Sequence, residues 1–133
     1  MDVKQIEAKQ AKKGTYVMID DVPCVVIDLK VASTGKHGAA KCRIIAEGIT
    51  DGKRREITVP GNTKIQSPNV DKRKGQIIAV LGDTVQVMDL ETYEVFDMNL
   101  PENLKNEVKE GAEAEYWVLA GRDRVLMKVK KAE

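Results

Sequence analysis

The stretch of this sequence with the most unusual chemistry is Ser33-Thr34-Gly35-Lys36-His37-Gly38, which holds the chain's only histidine between two strongly apolar segments. Glycines on both sides of Lys36-His37 permit positive φ and a tight turn, so the lysine is expected at an exposed hairpin tip with its ammonium in water. Gly-Lys after Thr invites comparison with the phosphate-cradling loop G-x-x-x-x-G-K-[ST]. The comparison fails, because the first glycine should stand at 30, which is Lys30, and the magnesium-binding hydroxyl at 37, which is His37. Covalent lysine catalysis needs an amine of depressed pKa beside a proton carrier, whereas Lys36 has His37 adjacent and no nearby acid. An exposed lysine titrates near about 10.4 and is a poor nucleophile at neutral pH unless another enzyme supplies the chemistry. No triad or carboxylate pair stands elsewhere, so no catalytic residue is expected. Taken alone, these residues also fit an ordinary glycine-rich hairpin carrying a solvated lysine.

The elements that must position this loop read as strands. From Thr15 onward the apolar residues come in short runs at Tyr16 to Ile19, Cys24 to Val31, Ala39 to Ala46 and Glu56 to Val59. Asp20, Asp21 and Pro23 separate the first two, and Gly48, Asp51 and Gly52 the last two. So many short antiparallel strands in under seventy residues imply a small barrel, which leaves few exposed edges. Pro60 to Val70 contains Gly61, Asn62, Ser67, Pro68 and Asn69, a cluster that should interrupt ladder hydrogen bonding. A joint is expected near Pro68, giving domains 1–69 and 70–133. Beyond it, Gln76 to Leu81, Thr84 to Leu90 and Tyr93 to Met98 read as strands. Pro101, Leu104, Val108 and Gly111 then predict one short helix, and Ala114 to Ala120 and Val125 to Val129 are two further strands. Three strands, a helix and two strands is the order of an OB-fold.

Composition sets bounds. A chain of 133 residues is one ordinary domain or two small ones, which excludes a large multidomain enzyme. Hydrophobic residues at 42% and charged residues at 32% predict a globular, soluble protein rather than a disordered chain, and the succession of short strands makes it all-β. Aromatics at 4% argue against an extended stacking surface. The net charge of +1 conceals an asymmetry: 12 basic against 8 acidic residues over 1–69, and 10 against 13 over 70–133. A polyanion should therefore meet mainly the first half, where Lys36, Lys41 and Arg43 lie near one end and Lys53, Arg54 and Arg55 form a second cluster. Cys24 and Cys42 lie in apolar runs without CxxC spacing, so buried thiols are expected and no metal site. Met1 to Lys13 carries charges throughout and has no apolar stretch of the kind a signal peptide or membrane span requires; a cytoplasmic protein is expected.

The run Thr34-Gly35-Lys36-His37-Gly38, followed by Ala40-Lys41, closely resembles the modification loop of translation factor 5A, the hypusine-containing relative of bacterial elongation factor P. The resemblance extends over almost the whole chain: Gly14 to Ile19, Val22-Pro23-Cys24, Asp71-Lys72-Arg73-Lys74-Gly75-Gln76, Gly82-Asp83 and Val87-Met88-Asp89-Leu90. It implies an SH3-like barrel followed by an OB-fold barrel with one short helix. It further implies that Lys36 accepts the aminobutyl group of spermidine from deoxyhypusine synthase, after which hydroxylation yields hypusine. Ser33, Thr34, Gly35, His37, Gly38 and Lys41 are then loop residues that shape the tip or contact tRNA and ribosome.

The implied partners are the ribosome and its peptidyl tRNA, beside whose acceptor end the modified side chain would sit near the peptidyl-transferase centre when synthesis stalls. The ribosome supplies the catalysis. No bound cofactor or membrane is implied, and a monomer is the expected state. The sequence departs from the family at two places: Ala32-Ser33 stands where many members have Ser-Lys, and Ala39 where eukaryotic members have His. The second, with the short amino-terminal arm, gives the chain an archaeal look. The rival expectation is a general RNA-binding or RNA-chaperone module in which Lys36 stays plain; Tyr116 and Trp117, adjacent on one strand, must face opposite ways, so that one could be exposed for stacking.

Overall fold

β-branched runs punctuated by turn residues give an almost wholly stranded chain in the computed structural model, which describes residues 2–32 and 40–130. The chain divides into two compact units, Met1–Asn69 and Val70–Glu133. The first contains β1 (Val3–Glu7), a 3-10 turn (Ala8–Gln10), β2 (Tyr16–Ile19), β3 (Val22–Ala32), β4 (Lys41–Gly48), β5 (Arg54–Pro60) and β6 (Lys64–Pro68). β2 to β5 form an antiparallel meander, and β1 pairs with β6 in a separate two-stranded sheet. Asp20 and Asp21 close the β2–β3 hairpin with φ of 53° and 61°. Two successive left-handed residues match the twist of the flanking strands, and short acidic side chains tolerate that region.

Alternation along β4 sends Cys42, Ile44 and Ala46 inward to Val17, Cys24, Val26 and Ile65. Both thiols are fully buried and unlinked. A bulge in β3 between Val26 and Asp28 reverses the alternation of that strand. Cys24 and Val26 face the core before it, and Leu29 does so after it. Lys30 is thereby turned to the outside opposite Arg43.

β1 and β6 stand where the sequence predicts a charged arm and an interrupted connection. Their apolar content is thin: Val3 and Ile6 in one, Ile65 in the other. They hold because Ile65 enters the core, Ile6 packs against it, and the Ser67 hydroxyl donates to the Tyr16 carbonyl at 2.7 Å. Pro68 accordingly ends a strand instead of lying in a loop.

The second unit contains β7 (Val70–Leu81), β8 (Thr84–Asp89), β9 (Val95–Asn99), a 3-10 turn (Glu102–Leu104), β10 (Glu113–Leu119) and β11 (Asp123–Val129). The sheet order is β11-β10-β7-β8-β9, with β11 returning beside β9, which is the closure of an OB barrel. Gly75 lets β7 pass close over the core: a Cβ there would lie 2.5 Å from Val87 Cγ1 and 3.0 Å from the Met88 carbonyl oxygen.

The helix expected between Pro101 and Gly111 shrinks to the three-residue 3-10 turn. Leu104 and Val108 do face the core together, and Val108 N–H bonds to Leu104 O at 3.2 Å. A segment of that length gains too few backbone bonds to offset helix nucleation, and asparagine, at 103 and 106, is a poor helix former. Tyr93, expected in a strand, is a turn residue at φ 62°, because the Asp89 carboxylate accepts the amides of Glu91 and Thr92 and the Asp89 carbonyl accepts that of Tyr93.

Candidate functional site

Strand pairing between β3 and β4 runs out to Ala32 opposite Lys41, so the intervening segment leaves and re-enters the sheet at adjacent positions. Lys36 belongs to that segment. Ser33, Thr34, Gly35, Lys36, His37 and Gly38 lie outside the described residues, whereas Lys41 is the exposed first residue of β4. The two strands outrun their core at this end: Val31, Ala32 and Lys41 are all exposed.

Cross-strand register builds the outer face leading from the hairpin end. Ala32, Lys41 and Pro60 form the first row, Lys30, Arg43 and Thr58 the second, and Asp28, Ile45 and Glu56 the third. Lys30, Lys41 and Arg43 therefore share one face at the Ala32–Lys41 end of the strand pair, with acid only in the third row. Glu56 Oε2 accepts Arg43 Nη2 at 2.8 Å and Nε at 3.2 Å. The Arg43 hydrogen bonds hold the Glu56 carboxyl below the usual carboxylate range. Arg43 is thus pre-aimed by a carboxylate, and Lys30 and Lys41 are exposed ammonium groups.

Lys30 is the residue that sequence reasoning missed. Strict alternation from Cys24 and Val26 would have put it in the core, and only the bulge turns it out. A lysine at an apparent core position is the signal that could have revealed the bulge.

The cluster Lys53, Arg54, Arg55 divides differently. Asp51 Oδ1 accepts the Lys53 amide at 2.9 Å and Arg55 Nη1 at 3.1 Å, while Oδ2 accepts Arg55 Nη2 at 2.9 Å. These bonds, Arg55 first, lower the Asp51 carboxyl to about 2. Arg55 therefore fixes the β4–β5 turn, and Lys53 and Arg54 are the exposed members.

The second unit buries a different electrostatic group. Asp89 is 1% exposed and accepts Arg73 Nε at 2.5 Å, Arg73 Nη2 at 3.2 Å and the Tyr116 hydroxyl at 2.5 Å, besides two backbone amides. Arg73, as the leading cause, holds Asp89 far below the ordinary carboxylate range, while burial first and Asp89 second push Tyr116 up to about 12. Asp89 and Tyr116 are buried, and Arg73, 23% exposed, spends its guanidinium on Asp89, Asp71 and Glu91, so this cluster ties β7, β8 and β10 together. Of the aromatics considered for stacking, Tyr116 is buried, and Trp117 is half-buried with Lys72 Nζ 4.7 Å from its ring centroid. Among the described residues no group of His, Cys, Asp or Glu could hold a metal ion, and no helix is long and apolar enough to cross a membrane.

Comparison with known proteins decides the family. Residues 2–63 match the model of "Translation initiation factor 5A-like, N-terminal", and residues 69–128 match "Eukaryotic elongation factor 5A hypusine, DNA-binding OB fold". Translation initiation factor 5A of Pyrococcus furiosus is 45% identical over 136 residues, covering 99% of this chain and 98% of that protein. The chain belongs to the translation factor 5A family.

The factor of Methanopyrus kandleri is 43% identical over 126 residues, covering 93% of both chains. Among solved structures, the translation initiation factor 5A of Methanococcus jannaschii superposes with a TM-score of 0.88 at 39% identity, covering 97% of this chain and 96% of that one. The expected architecture of an SH3-like barrel followed by an OB-fold is thus the architecture of this translation factor, and these three relatives are archaeal.

Proposed function

We propose that this 5A-family factor acts on the ribosome through a modified Lys36. Deoxyhypusine synthase transfers the aminobutyl group of spermidine to Lys36 Nζ, forming a secondary amine and releasing the remaining diamine. The extended side chain contacts the acceptor end of peptidyl tRNA near the peptidyl-transferase centre and promotes peptide-bond formation at stalled sites. The chain itself contributes no catalytic group: it positions, and the ribosome catalyses. It works as a monomer in the cytoplasm.

The observation that supports this reading is the cluster Lys30, Lys41 and Arg43 on the outward face of β3 and β4, the two strands that the segment containing Thr34-Gly35-Lys36-His37-Gly38 connects. Extension roughly doubles the reach of the lysine and adds a second amine, which suits contact with phosphates and sugars in a narrow RNA cavity. Ser33, Thr34, Gly35, His37 and Gly38 shape the tip, and Lys41 contacts RNA at its base.

Intact-mass analysis of protein purified from its source cells tests the reading. The expected result is a mass gain of one aminobutyl group, with or without one oxygen, mapped to Lys36. Native protein with a plain lysine would sink it and favour the general RNA-binding alternative. That alternative has little aromatic platform to work with, since Tyr116 is buried and Trp117 sits under Lys72.

A further inference from the structure

The residue at which the Lys36 segment returns to β4 is gripped from the side. Ala40 O accepts the Gly61 amide at 2.8 Å, and Gly61 O accepts the Lys9 amide at 3.0 Å. Ala8 N–H donates to Thr63 O at 2.9 Å, so the Ala8–Gln10 turn is tied to the same bend. That turn is itself anchored, with Ala8 and Ala11 fully buried in the first core.

Gly61 is buried and does not have the positive φ that would demand glycine. The space around it is tight instead, so that an added methyl requires a neighbour to shift by a few tenths of an ångström. A Cβ at Gly61 would lie 3.3 Å from Ala40 O, 3.4 Å from Cys42 Sγ and 3.6 Å from Lys9 Cβ. Cys42 lies in the packed core and Lys9 in an anchored turn, so the neighbour freest to give way is Ala40, which lies beyond the end of β4.

We propose that Gly61 is a positioning residue for Lys36: its bare peptide clamps Ala40 to the Ala8–Gln10 turn and fixes where the Lys36 segment re-enters the barrel. The inference rests on the reading that Lys36 is the substrate of the synthase. A methyl at Gly61 pushes the foot of the segment away from the clamp and lowers the fraction of molecules presenting Lys36 correctly. The apparent affinity of the synthase falls by that fraction, while the transfer step, once engaged, is unchanged.

The experiment measures aminobutyl transfer from spermidine to full-length protein by purified synthase, comparing wild type, Gly61→Ala and Val17→Ala. Val17 is fully buried in the same core on β2 and serves as a purely structural comparison. Gly61→Ala is expected to raise the KM for the protein roughly three- to tenfold with kcat retained. Val17→Ala should lower the melting temperature at least as much and leave KM in place. Equal KM for Gly61→Ala and wild type, or an equal rise in Val17→Ala, overturns the clamp. Failure of wild type to accept the group overturns instead the reading of Lys36 on which the clamp rests. Should Gly61→Ala not fold, hydrogen exchange of the native protein decides: the Gly61 amide must be as protected as those of β4, and exchange at the rate of an open loop removes the proposal.

Discussion

On the proposed reading, the property that matters at Lys36 is a primary amine that can be alkylated, and arginine keeps the charge without offering that amine. Lys36→Arg is expected to abolish modification and normal growth of the source cell. Its effect on folding stability should stay within about 0.5 kcal/mol, the usual range for surface substitutions. Asp89 illustrates the opposite use of charge. Asp89→Asn keeps the volume but leaves Arg73, 23% exposed, without its principal counter-charge. A loss of about 3 to 5 kcal/mol is expected in chemical denaturation, as for a buried pair broken on one side. Because the folded carboxyl titrates far below its unfolded value near about 3.9, its stabilisation is complete above that pH and is lost on further acidification. Tyr116 gives the reverse sign at the alkaline end: its hydroxyl is raised to about 12, so stability falls as pH climbs from about 10 toward that value. Stability against pH for wild type and Asp89→Asn checks both, since the variant should lose the acid limb contributed by this carboxylate.

Among the elements, the strands that bury alternate residues were legible in sequence and the strands that do not were hidden. β2, β3, β4, β8 and β11 follow from their apolar runs. β1 and β6 were invisible because each offers only one or two apolar side chains, and their pairing with each other spans the whole first unit. Local pattern does not encode so distant a partner. The strands β3 and β4 that flank the Lys36 segment were legible from their apolar runs, but their outer face was not, because the β3 bulge that exposes Lys30 shows in the sequence only as a lysine at an apparent core position. β6 owes its place to Ile65, 7% exposed in the first core. Ile65→Ala is expected to cost about 2 to 5 kcal/mol. With two separate cores, calorimetry should show this loss in the transition of the first unit, and the loss from Asp89→Asn in that of the second.

At the scale of the molecule, net charge says little and its placement much. The excess of cations in the first half concentrates, around the hairpin, on one face containing Lys30, Lys41 and Arg43. Lys130, in the acidic half, lies 3.9 Å from Glu113. Every cation–phosphate pairing removed should flatten the salt dependence of ribosome binding by about 0.7 to 0.9 in log–log slope. Lys30→Ala and Lys41→Ala are therefore expected to weaken binding and reduce the slope, and Lys130→Ala to change both much less. A salt titration in which all three variants behave alike would mean that the overall field, rather than the hairpin face, holds the factor.

The placement of the two thiols makes the molecule report on itself. Cys24 and Cys42 are fully buried in the first core, and residues 70–133 contain no cysteine. Burial, the leading influence, raises the Cys24 thiol further from its reactive thiolate form. An alkylating reagent can therefore mark this protein only when the first unit opens. The number of labels per molecule in a mass spectrum, followed over time, gives the opening rate of the unit bearing Lys36 while the OB unit stays silent. If the two thiols become accessible together, molecules with no label and with two labels should dominate throughout, and a large population with one label would reveal partial opening of the barrel.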